Sequence, residues 1–272
     1  MTPRVELADA RALPLESYSV PLIVTSPPYG LDIRYELGDV PAEEWGEFTR
    51  SWLAEALRVA SPDGRLAVNV PFDANKPTSR PVWVEMCAAA LAVGWHYRSV
   101  IVWHKPTNAP RTSWGSWLRP SAPNIVTRDE AIGLFYKGER WKRRGDGASD
   151  VTREEFMSWT QGSWTIPPET RAFMRYPAAF PEELPRRLIK LLTYPGEAVL
   201  DPFSGSGTTA IAAHRLERVP LAFDISPRAV AITEQRLAQA ELLLERRAPD
   251  PCHIAPKHAA GGVTWELISP GS

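Results

Sequence analysis

Cysteine is nearly absent. Among 272 residues there are two, Cys87 and Cys252, far apart in the chain. That excludes a disulfide framework and a cysteine-based metal cluster, and it suits a reducing compartment. Net charge is nearly absent too: 31 Lys and Arg against 32 Asp and Glu leave a formal −1. The chain is no bulk polycation, so any contact with nucleic acid has to come from a local basic face. No apolar run is long enough to span a bilayer and no signal-peptide pattern is found, so a cytoplasmic location is expected. No G-x-x-x-x-G-K-[ST] occurs, which excludes a P-loop. No internal repeat is found either.

Proline is plentiful, at 27 residues, and implies many rigid turns. The length suits one large α/β domain with a sizeable core. Short apolar runs recur at Val20–Thr25, Arg65–Val70, Ser99–Trp103, Ala131–Tyr136, Ala198–Leu200 and Val219–Phe223. They are continuous rather than alternating, as in strands buried on both faces. Helical patterns lie between several of them. Glu44–Ala60 sets Trp45, Phe48, Trp52, Ala56 and Val59 on one stripe, a core-packing pattern. Pro181-Glu182-Glu183 opens a helix with acids at its positive end. Ser226-Pro227 opens another, as N-cap and first-turn proline, through about Glu245. Alternating strands and helices predict a doubly wound, mostly parallel sheet. Lys105–Pro123 and Gly138–Pro168 break the rhythm and read as long surface loops or a small insertion. The chain after Arg247 reads as a loose tail.

Two short motifs carry chemistry. Thr25-Ser26-Pro27-Pro28-Tyr29 ends the first long apolar run. Proline cannot donate to a sheet ladder, so this is a strand end rather than a strand middle. The carboxyl end of a strand is where open α/β sheets hold ligands. Far downstream, Asp201-Pro202-Phe203-Ser204-Gly205-Ser206-Gly207-Thr208 follows a strand and precedes a helix. Its glycines allow a tight turn and close approach to a ligand. Asp224 ends the next strand, 17 residues after Gly207, and is placed to accept both hydroxyls of a ribose. This half is expected to bind an adenosine-containing cofactor. Gly205 to Ala210 formally matches the dinucleotide pattern G-x-G-x-x-A, which leaves a nucleotide-dependent oxidoreductase as a competing reading. Two features argue against NAD: Asp201-Pro202-Phe203 replaces apolar strand residues before the glycines, and only about 65 residues follow Gly207. An acidic Asp201 suits a ligand bearing an amino group or a sulfonium.

Together, Thr25–Tyr29 and Asp201–Thr208 resemble the β-class of amino-group DNA methyltransferases. Smaller marks agree: Leu7-Ala8-Asp9-Ala10, Ile101-Val-Trp103-His-Lys105-Pro106, and Tyr176-Pro-Ala-Ala-Phe180-Pro181-Glu-Glu-Leu184. Tyr176 replaces the family's usual histidine, Ala8 its glycine, and Arg128-Asp129-Glu130 stands where His-Glu is common. The resemblance covers roughly residues 5 to 240. It implies a circularly permuted, Rossmann-like methyltransferase fold, with the catalytic motif before the cofactor motif and S-adenosyl-L-methionine as cofactor. It implies cofactor contacts at Asp9, Ala10, Thr25, Phe180, Pro181, Asp201 through Thr208, Asp224 and Ile225. It places catalysis at Ser26, Pro27, Pro28 and Tyr29: two acceptors for the target amine, a stiffened turn, and a ring on which an extruded base stacks. Ser rather than Asp at position 26 goes in that family with cytosine N4, and adenine N6 is the alternative. The partner implied is double-stranded DNA, with a cognate restriction endonuclease.

Phosphate contacts are expected from two basic, tryptophan-dotted loops. The first holds Lys105, Arg111 and Arg119; the second holds Lys137, Arg140, Trp141, Lys142, Arg143 and Arg144. The chain is thus expected to divide into a catalytic half at about 1–136, a recognition insertion at about 137–168, a cofactor half at about 176–246 and a tail at 247–272. The insertion is short, which implies a short recognition sequence or help from a second subunit, as in a homodimer.

Overall fold

The computed structural model describes residues 2–30, 39–73, 80–106, 116, 118–123, 125, 127–142, 148–169, 180–245, 254–259 and 262–267. The chain divides into two units, residues 1–237 and 238–272. The elements of the first are β1 (Arg4–Leu7), β2 (Val20–Thr25), α1 (Trp45–Val59), β3 (Ala60–Pro71), α2 (Val82–Val93), β4 (His96–His104) and β5 (Glu130–Tyr136). There follow α3 (Arg153–Trp159), β6 (Ser163–Thr165), α4 (Glu183–Leu192), β7 (Ala198–Asp201), α5 (Thr208–Arg215) and β8 (Val219–Asp224), and then α6 (Pro227–Glu245), which runs across the unit boundary.

One eight-stranded sheet orders these strands β1-β8-β7-β2-β3-β5-β4-β6. Every neighbouring pair is parallel except the two made by β5, which runs against β3 and β4. Strand order reverses between β2 and β7: the chain winds outward from β2 through β3, and from β7 through β8. Their carboxyl ends therefore open a crevice at the switch point, the place where doubly wound sheets hold ligands.

Strand alternation divides the core in two. Ile23, Leu66, Val68 and Val70 pack on one face with Trp45, Trp52, Leu53, Ala56 and Val59 of α1 and Met86, Ala89 and Ala90 of α2. Leu22, Val24, Ala67, Ile101, Trp103 and Ile132 pack on the other with Leu184, Leu188 and Ile189 of α4 and Ala212 and Ala213 of α5. The aromatic stripe of α1 is thus core, as its spacing predicts. Ser226 caps α6, its Oγ accepting from Ala229 N at 3.2 Å, with Pro227 in the first turn.

The segment at 138–168, read from the sequence as a long surface loop or a small insertion, contains α3 and β6. Thr152 and Glu155 form a capping box around the start of α3, a signal legible in Thr-Arg-Glu-Glu. The second unit carries a hairpin, β9 (Ile254–Ala259) against β10 (Gly262–Leu267), with Gly262 opposite Ala259. The tail read from the sequence as a loose extension thus contains a hairpin; glycine after position 260 and the alternation of Val263, Trp265 and Leu267 are its signals. Among the described residues, no helix is long and apolar enough to cross a membrane.

Candidate active site

The crevice brings the two distant motifs into contact. Ile23 lies beside Leu200 in the β2–β7 ladder, so Thr25 and Asp201 leave the sheet together, and Thr25 Oγ1 donates to Asp201 Oδ1 at 2.7 Å. Asp201 is buried. Burial pushes its carboxyl up to about 6, against the hydroxyls of Thr25 and Thr209, which hold it down, and Phe203 N–H, which donates at 3.1 Å. A buried carboxylate of this kind is eased by a cationic partner.

Beyond Asp201 the glycine turn closes on itself. Ser204 N–H donates to Phe223 O at 2.9 Å and Gly207 N–H to Ser204 O at 2.7 Å. Gly207 has φ +77 and starts α5; a Cβ there would stand 2.7 Å from Thr233. Only glycine takes that position without strain. Asp224 is buried, and each of its oxygens accepts a backbone N–H, from Gly205 at 2.8 Å and from Ser226 at 2.9 Å. Ile225 is exposed beyond it. In the turn, the hydroxyl of Ser204 is buried without a hydrogen-bond partner. An orphaned hydroxyl, a glycine cradle and two buried acids suit a ligand with hydroxyl and amino groups.

Of the remaining expected cofactor residues, Pro202 is buried and Phe203 packs against Phe48 and Trp52, at ring centroids of 5.9 and 5.4 Å. Ser206 and Thr208 approach each other at 3.4 Å. Phe180 lies in the core cluster that holds Val24, followed by buried Pro181. Ala10 is buried in the α1 core, and Asp9 is held by Arg11, whose guanidinium donates at 2.7 and 3.0 Å. That hydrogen bonding keeps the Asp9 carboxyl below its ordinary range.

On the other side of the crevice, Ser26 Oγ donates to Asn69 O at 3.2 Å and meets the Tyr29 hydroxyl at 2.5 Å. Tyr29 is buried beside α1 with its hydroxyl at Ser26. Strand parity then adds Asn69 and Glu130, to which sequence reading gave no role, and gathers Lys105, read from the sequence as a DNA contact. Asn69, Glu130 and Lys105 follow the alternation of Ala67, Ile132 and Trp103, and so share Ser26's side of the sheet. Asn69 Nδ2 donates to Glu130 Oε2 at 2.6 Å, Lys105 donates to Glu130 Oε1, and Lys105 lies over Trp103. Three strands assemble this network, and nothing local in the sequence links its members.

The expected DNA-contacting residues are split between the two edges of the sheet. Lys105 and the connection carrying exposed Arg119 leave the carboxyl end of β4, beside Ser26. Lys137, Arg140, Trp141 and Lys142 follow β5, which runs the other way, and so lie at the opposite edge. There Lys137 Nζ donates to Leu57 O and Ala60 O at 2.6 and 2.8 Å, where α1 ends, and Lys142 pairs with Glu197 at 2.7 Å. Arg140 faces the ring of Trp141 at 5.9 Å, and Trp141 is exposed. The structure does not bring this basic group to the crevice, because the one antiparallel strand reverses the direction in which the chain leaves the sheet. Arg111, Arg143, Arg144 and Tyr176 lie outside the described residues.

A family model described as DNA methylase, of the N6/N4 methyltransferase type, matches residues 20–235. The type II methyltransferase M.MjaVI of Methanocaldococcus jannaschii is 43% identical over 159 residues, covering 58% of this chain and 81% of that protein. A solved Thermus thermophilus protein complexed with S-adenosyl-L-methionine superposes with a TM-score of 0.71 at 28% identity, covering 88% of this chain and 94% of that one. The cytosine-N4-specific PvuII DNA methyltransferase gives 0.67 at 22% identity, over 90% and 93%, a likeness of fold. With two motifs meeting across adjacent strands and a family match that spans both, the chain belongs to the N6/N4 DNA methylase family.

Proposed function

We propose that this enzyme methylates the N4 amino group of cytosine in double-stranded DNA, as the modification half of a type II restriction–modification pair. The methyl donor is S-adenosyl-L-methionine, which when bound supplies an electrophilic methyl on a sulfonium. The residues around the glycine turn fit it: Asp201 for its cationic end, Asp224 for the ribose, and the orphaned Ser204 hydroxyl within the turn.

The observation that carries the reading is the hydrogen bond from Thr25, the residue before Ser26-Pro27, to Asp201. An exocyclic amine attacks poorly because its lone pair is delocalised into the ring. Two acceptors aimed at its N–H bonds localise that pair. Ser26 donates to Asn69 O and accepts from the Tyr29 hydroxyl, which leaves one lone pair of Oγ to accept from the amine. The Pro27 carbonyl has no hydrogen-bond partner among the described residues and serves as the second acceptor. Transfer is then direct and in line, governed by positioning. A hydroxyl at position 26 is a weaker acceptor than the carboxylate that goes with adenine N6 in such motifs, which favours cytosine N4.

The DNA face of this reading is the carboxyl edge, on the side of the described residues 118–123 and 127–129 between β4 and β5. Exposed Leu118 and Arg119 there suit an apolar wedge and a phosphate contact. The basic group at 137–142 is left out of it. A cognate endonuclease is the expected companion, and a monomer that methylates alone in gel-filtration fractions would remove the need for a second subunit.

The test is nucleoside mass spectrometry of unmethylated DNA incubated with enzyme and cofactor. N4-methylcytosine is expected. N6-methyladenine would keep the cofactor site and overturn the base assignment.

A further inference from the structure

The turn that carries Ser26 and Pro27 is held from behind by two side chains that no sequence motif singles out. The carbonyls of Pro27, Pro28, Tyr29 and Gly30 follow one another. Trp45 Nε1, at the first residue of α1, donates to Pro28 O at 2.9 Å. Arg80, two residues before α2, donates through Nη2 to Tyr29 O at 2.5 Å and through Nη1 to Gly30 O at 3.3 Å. The guanidinium lies over the Trp45 ring, 4.5 Å from its centroid, and the Glu85 carboxylate stands 3.0 Å from Nε. The Arg80 side chain is 14% exposed and Trp45 is buried. The two donors thus brace each other while gripping three consecutive carbonyls. Gly30 makes room for them: at φ +65, a Cβ would stand 3.0 Å from Trp45 Cδ1 and 3.1 Å from Arg80 Nη1.

We infer that Arg80 and Trp45 are positioning residues for methyl transfer, a clamp that immobilises the Pro28–Gly30 carbonyls so that the Pro27 carbonyl keeps one direction. The inference rests on the reading of Ser26 and Pro27 as the amine's acceptors. A planar fork suits the task. Its parallel N–H groups take two carbonyls in a set geometry, and it stacks flat on indole, which a lysine ammonium does not reproduce. Misplacing an acceptor by about an ångström costs up to roughly 100-fold in rate. None of the clamp's contacts touches the glycine turn, so cofactor affinity is untouched.

The experiment compares Arg80→Ala, Arg80→Lys and Ser26→Ala for single-turnover rate, KM for S-adenosyl-L-methionine, affinity for S-adenosylhomocysteine and Tm. Expected for Arg80→Ala is a rate lower by about 10- to 100-fold, with KM for the cofactor and S-adenosylhomocysteine affinity within about twofold of the parent. Millimolar guanidinium restores part of that rate, and restores none to Ser26→Ala. Arg80→Lys, which keeps a cation over Trp45 and loses the fork, falls between Arg80→Ala and the parent; it carries the test if Arg80→Ala does not fold. A parental rate in either Arg80 variant, with Ser26→Ala inactive, overturns the clamp alone. So does a rate loss that tracks lost Tm and cofactor affinity without guanidinium rescue. An active Ser26→Ala enzyme removes the acceptor reading itself, and the clamp with it.

Discussion

The two edges of the sheet use polar groups in opposite ways. At the amino edge, cations saturate carbonyls. Lys137 covers Leu57 O and Ala60 O, and Arg65 is buried with its guanidinium on the carbonyls of Glu139 and Arg140. Burial holds both cations below their ordinary pKa. In the crevice of the carboxyl edge two groups are left wanting: the Ser204 hydroxyl is orphaned, and Asp201 is pushed up to about 6. Cations capped by carbonyls stabilise the fold; an orphaned hydroxyl and a buried acid in a crevice await a ligand. Basic composition alone therefore says little about where nucleic acid binds.

That contrast can be broken most sharply at Ser26. Ser26→Ala is expected to lower the methylation rate by about 100- to 1,000-fold, by analogy with losing one preorganised partner of a transition state. Methyl incorporation into DNA at saturating cofactor measures it, and a loss under about tenfold would count against Ser26 as an acceptor.

Asp201→Asn comes next. The carboxyl's pKa in the folded chain lies above its ordinary 3.8. The folded state therefore holds its proton more tightly than the unfolded one, and ligand-free stability falls as pH rises from about 4 to about 6. The asparagine variant should lose that slope and melt a few degrees higher at pH 7.5 without ligand. It should also bind S-adenosylhomocysteine about 10- to 100-fold more weakly, from the loss of a charged hydrogen-bonding partner. Thermal melts across pH, paired with calorimetric titration, test both halves; tighter binding by the variant would contradict the assignment.

Smaller effects separate the edges directly. Arg119→Ala should weaken DNA binding several-fold and reduce the slope of log K against log salt by about one, leaving S-adenosylhomocysteine affinity unchanged. Lys137→Met should do the reverse. Losing a cation from a helix carboxyl end costs about 1 kcal/mol, hence a Tm drop of about 2–4 °C, with DNA affinity and its salt slope unmoved. A changed salt slope in Lys137→Met would return the 137–144 group to the DNA face.

Particular residues mark how far the sequence could be read. Val20–Thr25 is the strand its apolar run predicts, to the residue. The α1 stripe is core, and Ser226-Pro227 opens α6. Backbone hydrogen bonding and periodic apolar burial are local rules, and local rules are legible in a string of residues. α2 escaped notice because Val82–Val93 is apolar on almost every side and lacks an amphipathic stripe. The capping box at Thr152 is a local signal that the sequence carries within a stretch of loop-like composition.

By itself the sequence determined the doubly wound sheet, the two motifs, the residue types suited to an adenosine-bearing cation and the family. Each is a matter of local pattern or of a short run whose spacing is set along the chain. Tertiary structure alone decided which edge each loop occupies, that Asn69, Glu130 and Lys105 share one side with Ser26, and that Arg80 and Trp45 hold the turn. Those facts depend on strand order, on the single reversed strand β5 and on packing between residues up to 61 positions apart. No periodicity within one segment encodes them, because they arise only when separate segments are fixed side by side.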